Sequence, residues 1–180
     1  MKILKIILIV VVIIIAIPFI TAIFINGNYK ISKEIKINKS LDEVFQYILL
    51  IKNQDKYSVW MKMDPNLRKK TTGTDGKVGF VYEWNSDIDS VGKGSQKIIR
   101  IENNKEIEIF VHFIEPFESE ARYLLKTEKV AENETKVIWD MCGNMNYPLN
   151  FFMLFYNTSE YVGKDIEKNL LTLKDILENQ

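Results

Sequence analysis

The chain of 180 residues contains one cysteine, one histidine and no net formal charge. Each scarcity excludes something. A lone Cys142 cannot close an internal disulfide, and a single thiol is tolerated in either redox compartment. It would need a neighbouring base to act as a nucleophile. The one candidate, His112, shares strand parity with Glu106 and Glu108, which places it on an outward face, so neither residue is read as catalytic. Zinc requires several Cys or His ligands at suitable spacing, and the sequence offers none; no metal and no cofactor is expected. Setting aside Lys2 and Lys5 leaves 22 basic residues against 24 acidic ones, a formal charge of −2. That is not the basic surface that neutralising phosphates demands, so nucleic acid is not expected as a partner. There is no repeat and no low-complexity tract. Gly73, Gly76 and Gly79 precede a strand, whereas a dinucleotide loop needs its glycines after a strand and before a helix. Acidic residues are numerous but scattered, and no pair of carboxylates falls on one site.

What the chain does have is a long apolar run. From Ile6 to Ile25 it reads IILIVVVIIIAIPFITAIFI, uncharged, with Thr21 its only clearly polar residue. Twenty residues of helix rise about 30 Å, roughly the hydrocarbon thickness of a bilayer. β-Branched residues form helices poorly in water, but in lipid the backbone must satisfy its own hydrogen bonds, and Pro18 bends such a helix without forbidding it. A signal peptide has an apolar core of about 7–15 residues and a small-x-small cleavage site; this run is longer and AIFINGN carries no such site. A buried core helix is rarely apolar on every side. Residues 1–28 are therefore expected to be an uncleaved single-pass anchor with its linker, and residues 29–180 one further domain. Lys2 and Lys5 favour a cytoplasmic N-terminus, whereas Lys30, Lys33, Lys36 and Lys39 argue the other way. The side of the soluble domain stays open, with a lean to export.

Beyond the linker, YKISKEIKI alternates Ile31, Ile35 and Ile37 against Lys30, Glu34 and Lys36, a half-buried strand. SLDEVFQYILL opens with Ser40 and Glu43 at capping-box spacing and sets Leu41, Val44, Phe45 and Ile48 on one helical stripe. A short helix or turn covers Lys52 to Tyr57. YSVWMKMDPN (57–66) has no clear period and reads as a loop rich in Trp and Met. About five strands then follow, joined by tight turns. In VGFVYEWN, Val78, Phe80, Tyr82 and Trp84 share a face; Ala121, Tyr123 and Leu125 share another, as do Val137, Trp139 and Met141. Such a run favours a meandering antiparallel sheet. YPLNFFMLFYN starts a helical turn at Pro148. Val162, Ile166, Leu170, Leu173 and Leu177 then mark a long amphipathic helix whose other side carries Lys164, Glu167, Lys168, Asp175 and Glu178.

This order, together with SLDEVF, YSVWMKMDPN, GKVGFVYEWNS with VGKGSQKI, and VGKDIEKNLLTLK, resembles the START/birch-pollen-allergen superfamily (SRPBCC). It is closest to the bacterial polyketide cyclase/dehydrase and lipid transport group, many of whose members begin with one membrane helix. The resemblance spans about residues 29–178. It implies an α+β helix-grip fold, a curved antiparallel sheet wrapped around the last helix with a hollow between them. Two departures stand out: Tyr57 where the family often has Trp, and Asn169 where it often has Gly. The family includes enzymes, lipid carriers and receptors, so function has to be argued from the site.

By alternation, Trp60, Phe80, Tyr82, Trp84, Tyr123, Trp139, Met141, Phe152 and Tyr156 face the interior, as core filling or as cavity wall. The resemblance favours the wall, because ligand pockets are mostly apolar with a few orienting polar groups. Tyr82, Tyr123 and Tyr156 could supply those hydroxyls. In the resembling fold the 57–66 loop sits near the cavity mouth, where Trp60, Met61 and Met63 would form an adaptable lip. The expected function is membrane-tethered, non-catalytic binding of a hydrophobic small molecule or lipid, with membrane contact through residues 6–25. A polyketide cyclase-like enzyme and a protein-interaction domain with a filled core are the alternatives. The sequence names no protein partner.

Overall fold

The computed structural model describes residues 2–180. The first helix, α1 (Lys2–Ile23), is 22 residues long, about 33 Å at the α-helical rise. It is long and apolar enough to cross a bilayer. After a short linker, the alternating sequence forms β1 (Asn28–Ile37). The helix α2 (Leu41–Leu49) begins with a capping box: the Glu43 amide donates to Ser40 Oγ, and the Ser40 amide donates to the Glu43 carboxylate at 3.1 Å. These bonds hold the Glu43 carboxyl below its ordinary range. The stripe Val44, Phe45 and Ile48 is buried.

A 3-10 turn (Ile51–Asn53), α3 (Gln54–Tyr57) and α4 (Val59–Lys62) follow. Asp75, from a turn in the next hairpin, locks the start of this run. Its carboxylate accepts from the Ile51 amide at 2.9 Å and the Lys52 amide at 3.1 Å, donors that a helix start otherwise leaves free. The sheet strands are β2 (Arg68–Thr72), β3 (Val81–Asn85), β4 (Lys93–Glu102), β5 (Glu106–Glu115), β6 (Ser119–Ala131) and β7 (Glu134–Asn144). A 3-10 helix (Leu149–Leu154) then leads into α5 (Thr158–Glu178).

The seven strands form one antiparallel sheet in the order β1-β7-β6-β5-β4-β3-β2. β2 to β7 are a meander, and β1 returns to the β7 edge, from Asn28 opposite Asn144 to Ile37 opposite Thr135. α5 lies on one face of the curved sheet and buries Ile166, Leu170, Leu173 and Leu177. At its far end the Asn38 amide donates to Glu178 at 2.7 Å. The arrangement is the helix-grip fold that the sequence motifs imply.

Three local differences have physical reasons. β2 is absent from the sequence reading because every one of its residues is exposed, so an edge strand leaves no alternation to read. Val78 does not continue the Phe80 face: it is 62% exposed, because Gly79 at φ +92° breaks the strand period before Val81. The 57–66 stretch is not a plain loop, since α3 ends at Tyr57 and α4 covers Val59 to Lys62. Helices of one turn carry no periodic signal.

A candidate ligand-binding cavity

Between the sheet, α3, α4, the 3-10 helix and the start of α5 lies a hollow of about 610 Å³. That is within the range of about 300–1,000 Å³ that holds drug-sized ligands, and it is at odds with the filled-core reading. Strand register builds its wall. Gln96 on β4 stands opposite Val111 on β5, and Tyr123 on β6 opposite Met141 on β7. Trp84 reaches over from β3 because its neighbour across β4 is Gly94, where a Cβ would stand 2.5 Å from the indole ring. Trp84 then donates from Nε1 to the Val91 carbonyl at 3.2 Å and meets Phe113 edge-on at 5.9 Å.

All three tryptophans line the cavity. Trp139 is the hub of the deep end. Tyr123 lies against it at 5.2 Å between ring centres, and Trp60 of α4 meets it edge-on at 6.4 Å. The lip therefore continues into the core, and the Trp and Met residues of α4 serve both purposes.

The wall carries one polar knot. Gln54 Nε2 donates to Tyr123 Oη at 2.7 Å, Tyr123 Oη donates to Gln96 Oε1 at 2.8 Å, and Gln96 Nε2 donates to Gln54 Oε1 at 3.2 Å. The three bonds close a ring among buried side chains. Each glutamine keeps a second N–H and a spare carbonyl lone pair for a further partner. Burial pushes the Tyr123 hydroxyl well above its ordinary range, and the bond from Gln54 only partly offsets this. It is a proton donor at any physiological pH. Tyr29, also on the wall, is raised by burial and by Cys142.

Seven of the residues proposed from sequence line the hollow: Trp60, Met61, Trp84, Tyr123, Trp139, Met141 and Phe152. Three do not. Phe80 is buried in the core below it. Tyr82 is also buried, and its hydroxyl turns away to Asp55 at 2.6 Å, which Lys69 also engages at 2.9 Å. Tyr156 is exposed and stacks on Tyr161 at 4.0 Å. Tyr123 alone among the three candidate tyrosines presents its hydroxyl to the site. Met63 is exposed and lies outside it.

Gln54 and Gln96 were missed. Gln96 was legible, since it shares inward parity with Gly94 and Ile98 and is a polar residue among them. Gln54 sits on a one-turn helix and left no such signal. The two departures from the family motifs also find places. Tyr57 is buried beside Tyr47, 6.5 Å between ring centres. Asn169, fully buried on α5, accepts from the Val59 amide at 2.8 Å through Oδ1. It thereby caps the first turn of α4, the element that carries Trp60 and Met61. Asn169→Ala is expected to cost about 1–2 kcal/mol, the usual loss for a cap left unmade, read by thermal melting. It should also speed probe exchange by loosening α4. An unchanged melt with unchanged exchange would show that the bond is not holding the lip.

His112 Nε2 lies 3.1 Å from Glu118 Oε1 on the outer side, and Cys142 is exposed two strands away with β6 between. Among the described residues no cluster of three or more His, Cys, Asp or Glu could hold a metal ion.

No protein-family model and no curated protein matches the sequence. Solved structures do match. The crystal structure described as Ara h 8.0201 aligns with TM-score 0.58 at 14% identity, covering 86% of this chain and 100% of that one. Protein MLL2253 from Mesorhizobium loti aligns with TM-score 0.61 at 10% identity over 84% and 98%. A norcoclaurine synthase point mutant from Thalictrum, in complex with a transition-state analogue, aligns with TM-score 0.56 at 12% identity over 84% and 98%. At these identities the likeness is one of fold.

Proposed function

We propose that this helix-grip chain, with the fold of the START/birch-pollen-allergen superfamily behind an apolar N-terminal helix, binds an uncharged hydrophobic molecule in its cavity. The observation that carries the reading is the hollow of about 610 Å³, walled mainly by aromatic and aliphatic side chains, with the neutral knot of Gln54, Gln96 and Tyr123 in its wall and the carboxylates of Glu115 and Glu118 in its lining near the β5–β6 turn. Such a site gains mainly from burying apolar surface, and a few placed polar groups orient the guest. A molecule with a hydrocarbon body and one carbonyl or hydroxyl fits that pattern; a free acid would be desolvated with no basic side chain in the lining to pair it. α1 anchors the domain in a membrane, where such molecules dissolve.

One fold neighbour is an enzyme, norcoclaurine synthase, but chemistry does not follow from a shared fold. The partners of Tyr123 here are two amides, which neither take nor give a proton near neutral pH. Binding without turnover is the reading these groups support.

The test is titration of the full chain, in mild detergent, with the uncharged dye N-phenylnaphthylamine. Because every tryptophan lines the cavity, saturable quenching of indole emission with rising dye fluorescence is expected; no saturable signal would sink the reading. Tyr123→Phe removes two of the three knot bonds and leaves both glutamines short of a partner. It should lower stability by about 1–3 kcal/mol and weaken carbonyl-bearing guests more than hydrocarbon ones. Equal losses for both guests would mean that the knot serves the fold and not the ligand.

A further inference from the structure

From Met141 to Ser159 the chain MCGNMNYPLNFFMLFYNTS has no charged residue, in a protein that is 27% charged. Its middle is the 3-10 helix Leu149–Leu154. Burial does not explain the composition: Tyr147, Phe152, Leu154 and Tyr156 are exposed, and Phe155 is 77% exposed. A contiguous apolar surface of this kind marks an interaction site.

Its position says with what. Asn150 Nδ2 donates to the carbonyls of Ala22 at 2.7 Å and Ile25 at 2.8 Å, capping the C-terminal end of α1. Beside it the Met145 amide donates to the Gly27 carbonyl at 2.9 Å, and a Cβ on Gly27 would collide with the Met145 carbonyl oxygen. Tyr147 meets Phe19 edge-on at 6.5 Å. Phe19 lies one helical turn inside α1, so the aromatic segment reaches back alongside the apolar helix. Leu149 and Phe152 of the same segment line the cavity. Sheet register places this end, with Asn28 opposite Asn144, away from the β6–β7 turn. Acidic residues at this end include Asp87 and Asp89 on the β3–β4 turn, Glu115 at the end of β5 and Glu118 on the β5–β6 turn, whereas the segment beside α1 carries none.

We propose that residues 145–156 seat in the interfacial layer of the same bilayer that α1 crosses, so that the cavity opens onto lipid and its guest exchanges without passing through bulk water. This rests on the membrane-anchored reading above. The partner is the apolar zone under neutral headgroups: an uncharged aromatic segment is anchored by buried apolar area, and nothing in it attracts anionic lipid. A signal in neutral vesicles that is insensitive to salt follows.

The test uses the full chain with Cys142→Ser, reconstituted in phosphatidylcholine vesicles, carrying one nitroxide label at a time through Phe155→Cys, Val12→Cys or Glu132→Cys. None of these positions lines the cavity, and Glu132 lies in the β6–β7 turn at the far end of the sheet. Relaxation by oxygen, which partitions into lipid, is compared with relaxation by a water-soluble nickel chelate. Oxygen is expected to dominate at 12 and 155 and nickel at 132, at low and high salt alike. Oxygen at 12 with nickel at 155 would overturn this inference and leave the anchored reading standing. Nickel at 12 would overturn both. A label at 155 shielded from both reagents would overturn the lipid assignment in favour of a protein partner or a second copy of the chain.

Discussion

Val111→Trp is expected to abolish measurable uptake of an apolar dye while leaving the chain folded. Val111 sits on the central strand β5, buried but facing the hollow, between Gln96 on one side and Ala121 on the other. In a close-packed core the extra ring atoms would cost about 1–3 kcal/mol of overpacking. Here about 610 Å³ of empty space stands in front of the side chain. Filling part of it restores the dispersion contacts that the wall atoms lack. The melting temperature should therefore hold or rise, and the dye dissociation constant should weaken by at least about tenfold, some 1.4 kcal/mol. The two signs together are diagnostic. A fall in stability with unchanged dye affinity would mean that the space is closed in solution and that the dye binds elsewhere.

Trp139→Ala is expected to be among the most destabilising single changes in the domain. Trp139 is 2% exposed and stands between Tyr123 and Trp60, so its removal strips contacts from the sheet and from α4 at once. Losses of about 3–5 kcal/mol are usual for a buried Trp or Phe replaced by Ala, on the order of a 10 °C fall in melting temperature for a domain of this size. Trp139→Phe should cost much less than its lost area suggests. The indole nitrogen is buried with no hydrogen-bond partner, and such a donor carries its desolvation penalty in the native state. Replacing it with carbon relieves that penalty while the ring still faces Tyr123. Thermal melting of the full chain in detergent separates the two variants. Equal losses would show that the N–H finds a hydrogen-bond partner in solution or that the ring geometry is more exacting than its area.

How far the sequence reached depends on which residues repeat. The amphipathic α5 and the inward rows of β6 and β7 are periodic, and periodicity survives into the fold because burial enforces it; the capping box of α2 is legible instead as a local pair, Ser40 and Glu43. β2 has no buried face, so no pattern could disclose it. The cavity wall was legible where it is built on strands, as at Tyr123, Trp139 and Met141. It was misread where one geometric fact intervened. Tyr82 has the right parity, but Asp55 on α3 draws its hydroxyl away. Tyr156 lies past the 3-10 helix, where helical phase is lost. Gln54 acts through long-range bonds with Tyr123 and Gln96, and Asn169 through one with the Val59 amide; pairings across 69, 42 and 110 residues leave no local trace. The uncharged stretch 141–159 was visible in the sequence; its meaning required seeing Asn150 cap α1.

The central claim is that the hollow holds an uncharged apolar molecule. Native mass spectrometry of the full chain, purified gently in mild detergent from the cells that make it, tests it most directly, with Val111→Trp alongside. The account predicts an adduct on the wild-type chain that leaves as a neutral species of drug or lipid size and is missing from the Val111→Trp chain. Bare masses for both, with no thermal shift of the wild type across a library of neutral apolar compounds, would contradict it.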